Sequence, residues 1–235
     1  MRREEIKEFI KPYELLANFL ESCFKYNAVI QDNCPIVNIS SRVKTIDSVL
    51  NKLLKKELTI YEMEKLTDIA GIRIVVRFSE DIPRVCQLIR DCGIKIVEER
   101  DYINKVKKES GYRAYHFIVQ EKEMFAEIQI RTFAMDTWAN AEHDIRYKPT
   151  SLVTDKMEKR LAQAVKSAHE LDKVASLLYR EALKLTEDDG TLEVLKVLIA
   201  EDKYAVLGKK LCILLLEMQM IMLEIGEELS KNEYT

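Results

Sequence analysis

Asp68-Ile69-Ala70-Gly71-Ile72-Arg73-Ile74-Val75-Val76-Arg77-Phe78 opens with an acid and continues, from Gly71, as a β-branched run dense in Ile and Val. A short apolar run of this kind reads as a strand buried in a sheet. Side chains alternate along a strand, so Arg73 and Arg77 fall on one face. Asp68 stands just before the run. Mg²⁺ is usually held by one or two carboxylates together with substrate phosphates, which makes Asp68 a candidate ligand. A lone acid before a strand is more often a turn or cap residue, so this reading needs partners elsewhere in the chain.

Working outward, residues Thr45 to Lys56 read as a helix whose apolar face is Ile46, Val49, Leu50 and Leu53. Ile36 to Val43 reads as extended, preceded by a turn at Asp32-Asn33-Cys34-Pro35. Glu4 to Tyr26 reads as helix, with Ile6, Phe9, Ile10, Leu15, Leu16, Phe19 and Leu20 at near-helical spacing. Downstream, Asp81 to Cys92 is helical and Ile94 to Ile103 extended, followed by a charged loop from Asn104 to Gly111. Tyr112 to Gln120 and Met124 to Arg131 form a strand pair about a turn at Glu121-Lys122-Glu123. Phe133 to Ile145 is helical. From Asp155 a continuous apolar stripe runs from Met157 to Leu185 and is broken at Thr186-Glu187-Asp188-Asp189-Gly190. Helices over Leu192 to Ala200 and Lys203 to Lys231 follow. The last is apolar around most of its circumference and needs cover on more than one side. The architecture is an α+β fold, a helix-flanked sheet of four or five strands, with one domain over 1–150 and a helical C-terminal extension over 151–235.

Composition narrows the function classes. The chain has 235 residues, 47% hydrophobic and 33% charged, enough for a real core. With 37 basic against 40 acidic residues the net charge is −3, which argues against coating nucleic acid by bulk charge. The five cysteines include no C-x-x-C pair and suit buried cytosolic thiols. The N-terminus lacks an apolar signal segment. The apolar stretch from Cys212 to Ile225 contains Glu217, Gln219 and Glu224, and is too short and too charged to span a bilayer. A cytoplasmic protein without membrane partners is expected.

Three further constellations join Asp68. Arg42, Lys44, Ser48, Lys52 and Lys55 line one side of the Thr45 to Lys56 helix and its approach. Cations fixed along a line suit a polyphosphate, although a charge run is usually just a solvated face. Lys107-Lys108-Glu109-Ser110-Gly111-Tyr112-Arg113-Ala114-Tyr115-His116 combines a glycine that permits close backbone approach, a ring for base stacking, and cations. The plainer reading is a loop entering a strand with core aromatics. In Glu127-Ile128-Gln129-Ile130-Arg131 the alternation puts Glu127, Gln129 and Arg131 on one face. Glu127 could join Asp68 at a metal or take a proton from a hydroxyl nucleophile. The alternative is a solvent-facing polar side. His143-Asp144 has the look of a metal-dependent phosphohydrolase pair. That chemistry needs more His and Asp ligands, and the other two histidines are His116 and His169.

In order, S-R-V-K, D-I-A-G-I-R, E-S-G-Y-R-A-Y-H, E-I-Q-I-R-T and W-A-N-A-E-H-D-I-R-Y-K resemble the synthetase domain of RelA/SpoT-type alarmone enzymes, and above all the small stand-alone alarmone synthetases. The resemblance spans about Glu8 to Lys148. It implies a mixed, nucleotidyltransferase-like sheet of about five strands. It implies transfer of pyrophosphate from ATP to the ribose 3′-hydroxyl of GDP or GTP, giving (p)ppGpp and AMP in the bacterial stringent response. It implies that Arg42, Lys44, Lys52 and Arg73 hold ATP phosphates, with Ser48 and Lys55 nearby. Asp68 and Glu127 would bind Mg²⁺, and Glu127 would also activate the acceptor hydroxyl. Tyr112 would stack on guanine. Lys108, His116, Gln129, Arg100 and Asp136 would complete the acceptor site. A homotetramer is implied, with alarmone or single-stranded RNA as regulators in some relatives. Lys55 stands where some relatives carry Arg, Asp136 where some carry Asn, and one extra residue lies between Asn104 and Lys108. Two other readings stand beside this one. A related enzyme would act on tRNA 3′ ends or adenine nucleotides. A non-catalytic nucleotide- or RNA-binding regulator would not need the Asp68–Glu127 pair.

Overall fold

The computed structural model describes residues 2–30, 34–105, 111–147 and 154–187. The helices expected over Leu192 to Ala200 and Lys203 to Lys231, and Lys108 with most of its loop, lie outside the described residues.

The five strands are β1 (Ile36–Val43), β2 (Ala70–Val76), β3 (Lys95–Asp101), β4 (Tyr115–Glu121) and β5 (Met124–Thr132). They form one mixed sheet in the order β1-β2-β5-β4-β3. The β1–β2, β3–β4 and β4–β5 pairs are antiparallel. The β-branched run that begins at Gly71 thus becomes an interior strand. The hairpin between β4 and β5 is tighter than the sequence suggests. Glu121 pairs with Met124, leaving Lys122 and Glu123 as the turn, with Lys122 at φ 54°.

Register decides what each face carries. Directly opposed residues share a face. Ile39 opposes Ile74, Phe117 opposes Ile128, and Tyr115 opposes Ile130. Ile72, Ile74, Phe117, Ile128 and Ile130 are buried, so this face is core. Helix α1 (Arg2–Ile30) packs on β1 and β2 and buries Ile6, Ile10, Tyr13, Leu16, Leu20 and Phe24. Glu21 of α1 accepts a hydrogen bond from Ser41 of β1. The buried face differs in part from the spacing-based expectation, because α1 carries apolar residues on both sides. Leu15 and Phe19 are exposed, 74% and 51% respectively. Helix α3 (Ile82–Asp91) buries Val85, Cys86, Leu88 and Ile89, and its Arg90 guanidinium lies 5.5 Å from the Phe117 ring centroid.

Helix α2 (Ile46–Lys55) buries Val49 and Leu53. Thr45 caps it, its hydroxyl oxygen accepting from the Ser48 N–H. A 3₁₀ turn over Ile60–Lys65, not foreseen from spacing, carries the chain back toward β2 and buries Met63. Its Glu62 carboxylate accepts from the Thr59 backbone N–H and hydroxyl at 3.0 and 2.8 Å.

The chain divides into two compact units. The first holds residues 1–106 and 113–131, and therefore nearly the whole sheet. The second holds residues 107–112 and 132–235. In the second, α4 (Phe133–Tyr147) packs on α5 (Asp155–Glu187) through Ala134, Trp138, Ala139, Ala164, Val165, Ala168 and Leu171. Buried Asp172 accepts a 2.8 Å bond from Thr132, whose oxygen in turn receives the Met135 N–H at the start of α4. Arg146 bridges Glu142 and Glu158, tying the two helices together. No helix among the described residues is long and apolar enough to cross a membrane.

Candidate active site on the polar face of the sheet

The face opposite the core carries Arg42 of β1, Arg73 of β2, Arg100 of β3, His116 of β4 and Glu127 of β5. Arg42 opposes Gly71, and Ser40 opposes Arg73. His116 opposes Gln129 on one side and Arg100 on the other. Alternation places Glu127 on the same face as Gln129 and Arg131. Ser40, Arg42, Asp68, Gly71, Arg73, Glu127 and Gln129 line a cleft of about 150 Å³. A Cβ at position 71 would stand 3.5 Å from Cγ and Nε of Arg42, so the arginine lies flat over the strand at this point.

Asp68 sits at the head of β2. The Lys44 N–H donates to the Ile69 carbonyl at 2.9 Å, extending the β1–β2 ladder and bringing Lys44 beside Asp68. The Lys44 and Lys52 ammonium groups both reach Asp68 Oδ2, at 3.1 and 3.0 Å. Burial raises the Asp68 pKa, but the two ammonium charges outweigh it and hold the carboxyl below its ordinary value. Its other oxygen, Oδ1, is buried and accepts no hydrogen bond among the described residues.

Glu127 is held differently. Its Oε1 lies 3.1 Å from His116 Nδ1, and its Oε2 accepts from Gln129 Nε2 at 2.6 Å. Burial opposes ionisation, yet the His116 contact, the Gln129 bond and the field of Lys44 win, taking Glu127 down to about 2. Both carboxylates are therefore anionic at neutral pH. The ring of His116 is 5% exposed and meets Tyr102 edge-on, with centroids 5.1 Å apart.

The remaining expected residues fall as follows. Arg100 is on the polar face and forms a two-point pair with Glu98 at 2.7 and 2.6 Å. Ser48 is engaged in the cap of α2, its Oγ accepting from Thr45 at 2.9 Å. Lys55 is exposed at the end of the same helix. Tyr112 and Asp136 belong to the second unit. Tyr112 packs against the α4–α5 cluster, and Asp136 accepts from Asn140 at 3.0 Å. His143 and Asp144 are 3.6 Å apart and exposed. Among the described residues no group of three or more His, Cys, Asp or Glu side chains is placed to hold a metal ion. Arg131, noted in the sequence only for its face, proves buried and bonded to Gln129 at 2.6 Å.

The donor set suits a hard cation. It offers two carboxylates bordering one cleft, one with a buried oxygen lacking a hydrogen bond among the described residues. Around it stand the cations and amide that a polyphosphate would need.

A family model described as a region found in RelA / SpoT proteins matches residues 41–151. The chain is 35% identical over 189 residues to GTP pyrophosphokinase YjbM of Bacillus subtilis (strain 168), covering 75% of this chain and 89% of that protein. It is 37% identical over 186 residues to GTP pyrophosphokinase YwaC of the same organism, covering 72% and 88%. Among solved structures, it superposes on small alarmone synthetase 1 from Bacillus subtilis with a TM-score of 0.71 and 34% identity, over 77% of this chain and 99% of that one. The same synthetase bound to its product pppGpp gives 0.70 and 34%, over 76% and 98%.

Proposed function

The chain belongs to the RelA/SpoT family of alarmone synthetases, and from that premise we propose how its polar sheet face works. The protein is a GTP pyrophosphokinase that makes (p)ppGpp, consuming ATP and a guanine nucleotide. The observation that carries the residue assignment is the convergence of Arg42, Arg73, Asp68, Glu127 and Gln129 on one cleft.

Arg42, Lys44, Lys52 and Arg73 bind the ATP phosphates, with Ser48 and Lys55 at the margin. Asp68 and Glu127 hold Mg²⁺, which supplies charge neutralisation on the phosphates when bound. The buried Asp68 Oδ1 supports this, as an oxygen in need of a partner. His116, Gln129 and Arg100 face the acceptor, with Lys108 and Asp136 as its outer contacts and Tyr112 stacked on guanine. Attack by the acceptor 3′-oxygen on the β-phosphorus breaks the bond to the α-phosphate oxygen and releases AMP. The hydroxyl proton passes to Glu127. A carboxylate at about 2 is a weak base, so positioning of the hydroxyl beside Glu127 carries more of the catalysis than its basicity. Such transfer depends on positioning and charge more than on covalent chemistry.

We place the synthetase function in residues 1–150, with 151–235 as a helical extension that contributes to subunit contacts. The stripe of Leu15, Phe19 and Tyr26 on α1, with Val37 on the edge strand, is exposed and supports self-association, read as a tetramer. A cytoplasmic location and regulation by alarmone or single-stranded RNA complete the reading. The test is incubation of pure protein with γ-³²P-labelled ATP, Mg²⁺ and, separately, GDP, GTP, ADP and tRNA. Label should move onto GDP or GTP with release of AMP. Label on tRNA or ADP alone would overturn the acceptor assignment.

A further inference from the structure

Arg131 lies on the polar face of β5 but has no place in the scheme above. It is 5% exposed, and its Nη2 donates to Gln129 Oε1 at 2.6 Å. Gln129 Nε2 donates in turn to Glu127 Oε2, also at 2.6 Å. The two contacts require the same amide orientation. Turning the amide over would set an NH₂ against the guanidinium and a carbonyl oxygen against the carboxylate, each a like-against-like contact. A charged donor at one end and a charged acceptor at the other make both hydrogen bonds charge-assisted. Residues 127, 129 and 131 alternate on one strand, so the chain of contacts needs no other element to assemble it.

We propose that Arg131 is a positioning residue for pyrophosphate transfer, locking the Gln129 amide so that Glu127 is always met by an N–H and never by a carbonyl oxygen. This rests on the assignment of Glu127 and Gln129 to the reacting site. Without Arg131 the Gln129 amide keeps only one of the two contacts that distinguish its ends, the bond to Glu127. Glu127 then relies on the His116 contact and on an amide anchored at one end only. The defect falls on the chemical step rather than on nucleotide capture, because Arg131 itself is buried behind Gln129.

The test is a double-substitution cycle with Arg131→Met and Gln129→Met, assayed for pyrophosphate transfer. Arg131→Met should lower kcat roughly 10- to 100-fold, the usual scale for residues that orient a ligand-bearing side chain, with much smaller changes in both KM values. Arg131→Lys, which keeps a charged donor, should recover most of that loss. In the Gln129→Met background, Arg131→Met should cost little more, since contacting residues on one network are non-additive. Full multiplication of the two losses would overturn the proposal, as would a Lys variant as poor as Met. A direct readout does not depend on activity. The Gln129 side-chain NH₂ pair, assigned in a ¹H–¹⁵N spectrum by its loss in Gln129→Met, should keep its position in Arg131→Lys and move in Arg131→Met. An unmoved pair in Arg131→Met refutes the lock. Absence of transfer by the wild type would instead refute the site assignment, with the spectral result still standing.

Discussion

Gly111 gives a prediction whose size follows from the structure. It has φ +67°, and a Cβ built there would lie 2.9 and 3.1 Å from the two methyls of Val165. Substitution by Ala meets two separate costs. The left-handed backbone costs a non-glycine residue about 1–2 kcal/mol. Overpacking against a buried side chain costs about 1–3 kcal/mol more. Val165 cannot easily turn away, because β-branched side chains are stiff at χ1 and it sits in the cluster with Trp138, Ala164 and Ala168. Gly111→Ala should therefore destabilise the protein by about 2–5 kcal/mol, lowering the melting temperature by roughly 4–20 °C for a chain of this size. Circular dichroism melts measure it directly. Val165→Ala in the same chain removes the clash but not the backbone cost. The double variant should thus be more stable than the sum of the single effects by about 1–3 kcal/mol. Because Gly111 precedes Tyr112, the acceptor KM should rise in Gly111→Ala while the ATP KM stays near wild type. A Gly111→Ala melt within about 2 °C of wild type, or strict additivity with Val165→Ala, would refute the reasoning.

Other outcomes are expected of the site. Asp68→Asn and Glu127→Gln should each cut synthesis by more than roughly 100-fold, since outer partners of a metal alone are worth 10- to 100-fold; turnover close to wild type at saturating Mg²⁺ in either variant contradicts the site. Glu127 also predicts an acid response. Its folded pKa, about 2, lies below the ordinary 4.5 of a glutamate, so its stabilisation is complete above about pH 4.5 and is lost as pH falls toward 2. Chemical-denaturant titrations should show Glu127→Gln losing less stability than wild type across that window, and parallel curves would refute this. Lys52→Ala should raise the ATP KM, whereas Tyr112→Ala should raise the guanine-nucleotide KM on the scale of one lost stacking contact, about 1–3 kcal/mol; initial-rate kinetics with each substrate varied would expose a reversed pattern. Deleting residues 202–235 should reduce the oligomer, as read by light scattering, and an unchanged mass would rule out the extension as a subunit contact.

Legibility followed range. The run from Gly71 to Phe78 announced a strand because β-branched residues crowd together there. The alternation in Glu127-Ile128-Gln129-Ile130-Arg131 announced its polar face for the same local reason. The buried side of α1 was less legible. Leu15 and Phe19 are as apolar as Leu16 and Leu20, and only the position of the sheet decides which pair is covered. The 3₁₀ turn at Ile60–Lys65 has no periodicity to betray it. Within the site, the residue types were readable from motif resemblance, but their pairings were not. Nothing local says that Lys44 and Lys52 share one oxygen of Asp68, or that His116 meets Glu127. These are register and long-range facts.

Those pairings change how substrate binding should be counted. Much of the site's charge is paired within the chain: Asp68 with two lysines, Glu127 with His116 and Gln129, Arg100 with Glu98. An incoming polyphosphate meets two of its cations, Lys44 and Lys52, already paired. It must draw Lys44 and Lys52 from Asp68, and its affinity is the difference between two sets of ion pairs. A divalent ion held by Asp68 would favour that exchange by neutralising the carboxylate. Removing the carboxylate should therefore separate binding from chemistry. In Asp68→Asn the lysines lose their internal partner, so metal-free ATP should bind more tightly than to wild type even though synthesis is lost. Calorimetric titration with ATP in the presence of a chelator measures this. Equal or weaker metal-free binding by Asp68→Asn would mean that Lys44 and Lys52 do not trade Asp68 for phosphate, and that their role is to hold the carboxylate in place.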